Sequence, residues 1–195
     1  MKNLPPFPAF VIIVFTVLLA SCEANRDELM EANAKMTTAN LTIANTDLIG
    51  TWNMYSMTSI GQNVDFNQDG NYTYDLLEET NCFDGMYFTF KEGGIVNTLQ
   101  SRLYFTSTGE FTCQTTGNYD ATYQVSGDQL TVNFDVDGSN YTEIKTIATY
   151  MENGENYLKV SLLKEETNSA VYVANDPGTT VASGIKEIEI IYKKE

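Results

Sequence analysis

Histidine is missing altogether from this sequence, and basic residues are scarce: 11 Lys and Arg stand against 26 Asp and Glu, for a formal charge of −15. The first absence removes the commonest general base and the commonest zinc ligand, so mechanisms built on imidazole are excluded. The second repels phosphate backbones, and no nucleic-acid partner is expected. There are only three cysteines and one tryptophan. The longest apolar run, Phe7 to Ala20, is shorter than the ~20 residues a membrane-spanning helix needs. What is present is core material. With 195 residues, 43% hydrophobic and 12% aromatic, the chain has enough for one folded domain and too low a charged fraction for disorder.

The N-terminus carries an address. Lys2 followed by the Phe7–Ala20 run has the build of an export signal. The next residues, Leu19-Ala20-Ser21-Cys22, resemble the lipobox of bacterial lipoproteins, in which small residues precede a cysteine that receives a diacylglyceryl group. That resemblance implies a signal peptide over residues 1–21, lipidation at Cys22, and anchoring to the outer membrane of a cell envelope on its periplasmic or surface face. Residues 22–47 lack aromatics and are rich in Ala, Asn, Thr and acidic side chains, which reads as a flexible tether. A helix packed on the domain through Leu29, Met30 and Met36 is the other reading.

From Leu48 the period of apolar residues becomes two, as in strands with one buried face. Met86, Phe88 and Phe90 alternate with Tyr87, Thr89 and Lys91; Leu130, Val132 and Phe134 alternate with Thr131, Asn133 and Asp135. Leu158, Val160 and Leu162 form a third such set, and Ile188, Ile190 and Tyr192 a fourth. With further runs at 50–58, 95–106, 119–125 and 141–151, about eight strands are expected. Short turns join them at Glu92-Gly93-Gly94, Ser126-Gly127-Asp128, Asp137-Gly138-Ser139 and Glu152-Asn153-Gly154. Strands joined this tightly are antiparallel neighbours, so the fold class is all-β, an up-and-down meander over residues 48–195. Closing it into an eight-stranded barrel removes both open edges, and closure is the expectation. A two-sheet sandwich is the rival; pairing of the Trp52 strand with the Ile188 strand distinguishes them.

The opening Leu48-Ile49-Gly50-Thr51-Trp52 carries the Gly-x-Trp pattern of lipocalins. With the Asp65-to-Cys82 segment, Thr89-Phe90-Lys91-Glu92-Gly93-Gly94 and Ser126-Gly127-Asp128-Gln129-Leu130-Thr131-Val132, the region from Leu48 to Lys193 resembles the lipocalin-like lipoproteins of Bacteroidetes-type bacteria. The resemblance implies a small eight-stranded barrel at the cell envelope. Typical lipocalins place a basic residue from a late strand over the tryptophan. Here the late strand offers only Lys186, Lys193 and Lys194, and no Arg follows Arg102.

One connection is unusually long. Between Gly61 and Asp84 there are six acidic residues and no Lys or Arg, and long loops in compact domains tend to be functional. Within it Asp65-x-Asn67-x-Asp69-Gly70-Asn71 matches the first half of a calcium loop, which makes Asp65, Asn67, Asp69 and Asn71 candidate ligands for calcium, the one cofactor the sequence suggests. The twelfth position, where a bidentate Glu belongs, is Leu76, so Asp75, Glu78 or Glu79 would have to complete the site. The alternative is a turn-rich surface loop held by Asx turns. Cys82 and Cys113 remain once Cys22 is lipidated; in an exported chain they are expected to form a disulfide, a free-thiol pair being the alternative.

Nothing singles out a carboxylate pair or an activated thiol, so no catalytic residue is assigned and no enzyme activity is expected. Two functions of different class remain. One is a carrier whose cavity, lined by Trp52, Phe88, Phe90, Phe134 and Val160, takes a small apolar or amphipathic ligand. The other is an interaction or inhibitor module with a filled core, engaging a basic protein partner through its acidic loop. An interior volume of a few hundred cubic ångströms favours the first.

Overall fold

The computed structural model of the chain describes residues 42–106, 110–136 and 138–195. Cys22, the signal segment and most of the expected tether lie outside the described residues. The end of that tether segment already belongs to the folded body. Ile43 is buried, and one helical turn, α1 (Asn45–Leu48), buries Leu48. Its Asn45 side chain accepts from the Val125 amide at 2.9 Å, while the Asn45 carbonyl accepts from the Tyr123 hydroxyl at 3.1 Å. These bonds seat α1 across one end of the sheet, so the body begins a few residues before Leu48.

The expected strands are all there. β1 (Gly50–Ile60) is followed by a second helical turn, α2 (Leu76–Glu79), and then by β2 (Tyr87–Lys91), β3 (Ile95–Phe105) and β4 (Phe111–Ser126). β5 (Gln129–Val136), β6 (Ser139–Glu152) and β7 (Glu155–Leu163) complete the meander. A 3-10 turn (Thr167–Ser169), a short strand β8 (Val171–Val173) and the helical turn α3 (Val181–Gly184) lead to the last strand, β9 (Glu187–Lys194).

Hydrogen bonding runs from each strand to the next through β7, then to β9, and from β9 back to β1. β1 pairs antiparallel with β2 on one side, Trp52 opposite Phe88, and with β9 on the other, Ser59 opposite Ile188. The sheet therefore closes on itself, and an eight-stranded barrel is formed rather than a sandwich. Every barrel pairing is antiparallel. The exception to the meander lies outside the ring: β8 pairs in parallel with the far part of β3, Tyr104 opposite Tyr172.

That far part exists because β3 and β4 outrun the barrel. A bulge between Thr98 and Leu99, opposite Gly117, bends the pair at the point where β2 stops covering β3. Gly117 has φ +123, and a Cβ there would collide with the Thr98 carbonyl oxygen, so only glycine fits the bend. Beyond it the burial phase flips, from Val96 and Thr98 to Ser101 and Leu103. The long acidic connection covers this extension. Cys82 is bonded to Cys113 as expected, with Cα atoms 5.5 Å apart, and buried Phe66, Leu76 and Phe83 belong to the same continuous core as Leu103 and Val171. Among the described residues no helix is long and apolar enough to cross a membrane.

Candidate ligand cavity

The two ends of the barrel differ because the side chains pointing inward differ. At the α1 end they are large and interlock. Trp52 is buried, and its indole Nε1 donates to the Leu48 carbonyl at 2.6 Å, while Phe90 packs edge-on to Tyr123 with centroids 4.8 Å apart. Phe88 stacks on Phe90 at 5.4 Å and meets Tyr192 edge-on at 5.0 Å. This end is full.

Beyond Phe88 the interior opens into a cavity of about 420 Å³. Seven of the eight barrel strands contribute to its wall, all except β1, so it is the lumen of the barrel. Its apolar surface comes from Phe88, Val132, Phe134, Val160 and Ile190. Ser169 and Ala170, from the segment between β7 and β9, form part of its rim. Of the five expected lining residues, Phe88, Phe134 and Val160 face the cavity. Trp52 and Phe90 do not; they are used up in the packed end, where their size closes the barrel.

The polar lining is the part that hydrophobic periodicity could not disclose. Gln100 bridges the interior: its Nε2 donates to Thr98 Oγ1 at 2.7 Å and its Oε1 accepts from the Tyr192 hydroxyl at 3.2 Å. Burial pushes the Tyr192 phenol far above the ordinary tyrosine range, so it stays a neutral donor. Lys145 and Glu143, two apart on β6, form an ion pair of 3.1 Å in the wall, with the lysine side chain only 12% exposed. Arg102 Nη2 donates to Gln114 Oε1 at 2.7 Å, and its guanidinium carbon lies 5.3 Å from the centre of the Tyr172 ring. The signal available in the sequence was that Arg102 is the only arginine after Arg26.

A second recess, of about 550 Å³, lies outside the barrel between the acidic connection and residues 173–182. Its one ionisable lining group, Asp65, already accepts from the amides of Asp69 at 3.0 Å and Gly70 at 3.1 Å. Though the more voluminous of the two, it is a gap between loops, whereas the lumen is enclosed by strands and carries converging polar groups. The lumen is the better candidate.

The loop read as a calcium site turns its oxygens onto its own backbone. Besides the two bonds of Asp65, Asn67 Oδ1 accepts from the Asp69 amide at 3.0 Å and Asp69 Oδ1 from the Asn71 amide at 2.7 Å. The Asn71 amide, first, and the side chains of Asn71 and Asn67 hold the Asp69 carboxyl below its ordinary value. The residues that would have completed the site are engaged elsewhere. Asp75 caps α2 through the Leu77 amide, Glu78 accepts from Thr73 Oγ1, and Glu79 is buried where it accepts from the amides of Phe66 and Asn67 at 2.6 and 3.2 Å. Among the described residues no three His, Cys, Asp or Glu side chains are grouped to hold a metal ion.

One contact bears directly on family membership. Lys194 Nζ, from the last strand, lies 4.9 Å from the centre of the Trp52 ring, the basic cover that lipocalins place over this tryptophan. A family model described as a lipocalin-like domain matches residues 48–160, more than half of the chain. The chain belongs to the lipocalin-like domain family. No curated protein and no solved structure matches it. The matched span runs from just before the Gly-x-Trp strand into β7 and leaves out β8, α3 and β9. Ser169 and Ala170 of the cavity rim, and Lys194 over the tryptophan, lie outside the matched span of this lipocalin-like chain.

Proposed function

We propose that this protein is an envelope-anchored lipocalin-like carrier that holds one small amphipathic molecule in the lumen of its barrel. The observation that carries the reading is the open volume of about 420 Å³ behind a packed end. It falls in the range of roughly 300–1,000 Å³ in which small-molecule sites occur. The lining suits an amphipathic guest, with Phe88, Val160 and Ile190 on its apolar side and Gln100, Arg102 and the Lys145–Glu143 pair on its polar side. A protein built only to present its surface would have its interior filled by its own Phe, Tyr and Met side chains, and the open lumen counts against that alternative.

Anchoring belongs to the same proposal. The lipobox resemblance at Cys22 supports attachment to the outer membrane through a diacylglyceryl group, with the barrel in the aqueous space of the envelope. Native mass spectrometry of the protein extracted from its own membranes tests both halves together. A small molecule travelling with the folded barrel, released on unfolding, and a lipid mass on Cys22 are expected. A barrel that arrives empty and takes up no added amphiphile overturns the carrier, and an unmodified Cys22 overturns the anchor.

A further inference from the structure

Five cations of the described residues have carboxylate partners or cover the tryptophan: Lys91, Lys145, Lys159 and Lys193 are in ion pairs, and Lys194 lies over Trp52. Lys164 donates to the carbonyls of Ala182 and Ser183. Arg102 alone combines two properties: it lines the lumen and has no carboxylate within ion-pair distance among the described residues. This is notable in a chain with 26 acidic residues.

The arginine is nevertheless held in place. Arg102 and Gln114 are cross-strand partners on β3 and β4, and their 2.7 Å hydrogen bond joins the side chains on one face of that pair. Tyr172, brought alongside by the parallel strand β8, supplies an aromatic face to the guanidinium at 5.3 Å. Both supports are neutral. A guanidinium has five donors in a planar fork suited to two oxygens of one acid group. Thr98, Gln100, Tyr192 and the other charged groups of the lumen are already matched. Thr98 Oγ1 donates to the Tyr87 carbonyl and accepts from Gln100, Gln100 accepts from Tyr192, and Lys145 is neutralised by Glu143. The one charge of the cavity wall without a counter-charge among the described residues is that of Arg102.

We infer that the lumen selects amphiphiles with an anionic head group, a carboxylate or a phosphate, and that Arg102 is the residue that selects them. The inference rests on the carrier reading and specifies its ligand. The apolar tail lies toward Phe88 and Ile190, and the head lies at the guanidinium between Gln114 and Tyr172. A charge-assisted hydrogen bond of this kind corresponds to a preference of about tenfold to a hundredfold over a neutral head of the same tail length.

The test is calorimetric titration of the full chain with four probes that share a twelve-carbon tail: dodecanoate, dodecyl phosphate, dodecanol and dodecyltrimethylammonium, each below its micelle concentration. At least one anion is expected to bind tenfold or more tighter than dodecanol, and the ammonium compound more weakly than dodecanol. Which anion is preferred tells carboxylate from phosphate. Arg102→Gln is expected to erase the difference between anion and alcohol. Arg102→Lys, which keeps the charge without the fork, retains a reduced preference and serves if the glutamine variant does not fold. Binding that ignores the head group, or a preference that survives in Arg102→Gln, overturns the inference and leaves the carrier standing. Failure of all four probes to bind overturns both.

Discussion

Lys194 lies over the face of Trp52 with Nζ 4.9 Å from the ring centre, and its stem runs so close to Gly50 that a Cβ there would lie 2.8 Å from Lys194 Cε. The glycine and the tryptophan of the opening motif are thus explained by one lysine at the opposite end of the chain. Gly50 has φ +126, which other residues rarely adopt, and its missing side chain lets the lysine cross to the ring. Lys194→Met, which keeps the stem and removes the charge, is expected to cost about 0.5–2 kcal/mol. Gly50→Ala is expected to cost about 1–3 kcal/mol through backbone strain and displacement of the lysine. Urea unfolding followed by the emission of Trp52, the sole tryptophan, measures both.

The barrel was legible in the sequence because its evidence is local. Period-two runs and two-residue glycine turns are statements about neighbouring residues, and β2, β5, β7 and β9 emerge where Phe88, Val132, Val160 and Ile190 mark an inward face. What a local pattern cannot carry is non-local. At the bulge by Gly117 the buried positions of β3 pass from Val96 and Thr98 to Ser101 and Leu103 while Thr98, Gln100 and Arg102 all line the lumen, so burial follows no single alternation from Val96 to Leu103. β8 is three residues long and gains its place only by meeting β3 some seventy residues earlier in the chain. For the same reason the sequence shows Trp52 and Phe90 only as inward-facing, like cavity wall, and not that α1 and Tyr123 close over them. Arg102, Glu143 and Lys145 line the lumen at positions where a simple hydrophobic pattern expects apolar residues, which is why a pattern search passes over them.

The Cys82–Cys113 bond ties the acidic connection to β4 across a sequence separation of 31 residues. Its removal by a double Cys→Ser substitution is expected to lower stability by about 3–4 kcal/mol, from the entropy returned to the unfolded chain. Loosening should concentrate in residues 61–86, which that bond ties to β4 and the Ser59 amide, donating to the Tyr74 carbonyl at 2.8 Å, ties to β1, while the β5–β6–β7 wall keeps its protection. Thermal melting with and without reductant, with hydrogen exchange resolved by segment, tests it. Uniform loss of protection across the barrel would contradict this assignment.

Filling the lumen separates binding from folding. Val160 is buried on β7 and faces the cavity, so Val160→Phe adds volume where space exists. Affinity for a bound amphiphile is expected to fall at least tenfold, while the melting temperature holds or rises because a void is occupied. Trp52→Phe is the converse. It removes the 2.6 Å bond to the Leu48 carbonyl at a cost of about 1 kcal/mol or more. It should leave affinity unchanged, since Trp52 does not touch the lumen. Paired titrations and melts of the two variants give the comparison, and equal effects on binding would mean that the guest lies elsewhere.

Acidification should loosen the turn that precedes α3. Asp176 gathers it: the Ser183 hydroxyl lies 2.7 Å from both carboxylate oxygens, and Oδ1 also accepts from the Gly178 amide at 3.0 Å and Thr180 Oγ1 at 2.9 Å. The Ser183 hydroxyl, then the Gly178 amide and the Thr180 hydroxyl, hold this carboxyl below its ordinary value of 3.8. A carboxyl whose folded value is depressed contributes stability that is present above the unfolded value and is lost as pH falls through the folded one. The group is exposed, so the effect is local rather than global. Protection of the Gly178 and Ser183 amides, corrected for intrinsic exchange, is therefore expected to drop between about pH 5 and about pH 2, while the β7 and β9 amides hold theirs. Asp176→Asn cannot accept from the serine and glycine with two charged oxygens, and its turn should already be open at the upper end of that range, with no further step on acidification. A pH step that persists in the asparagine variant would assign the effect to another carboxylate.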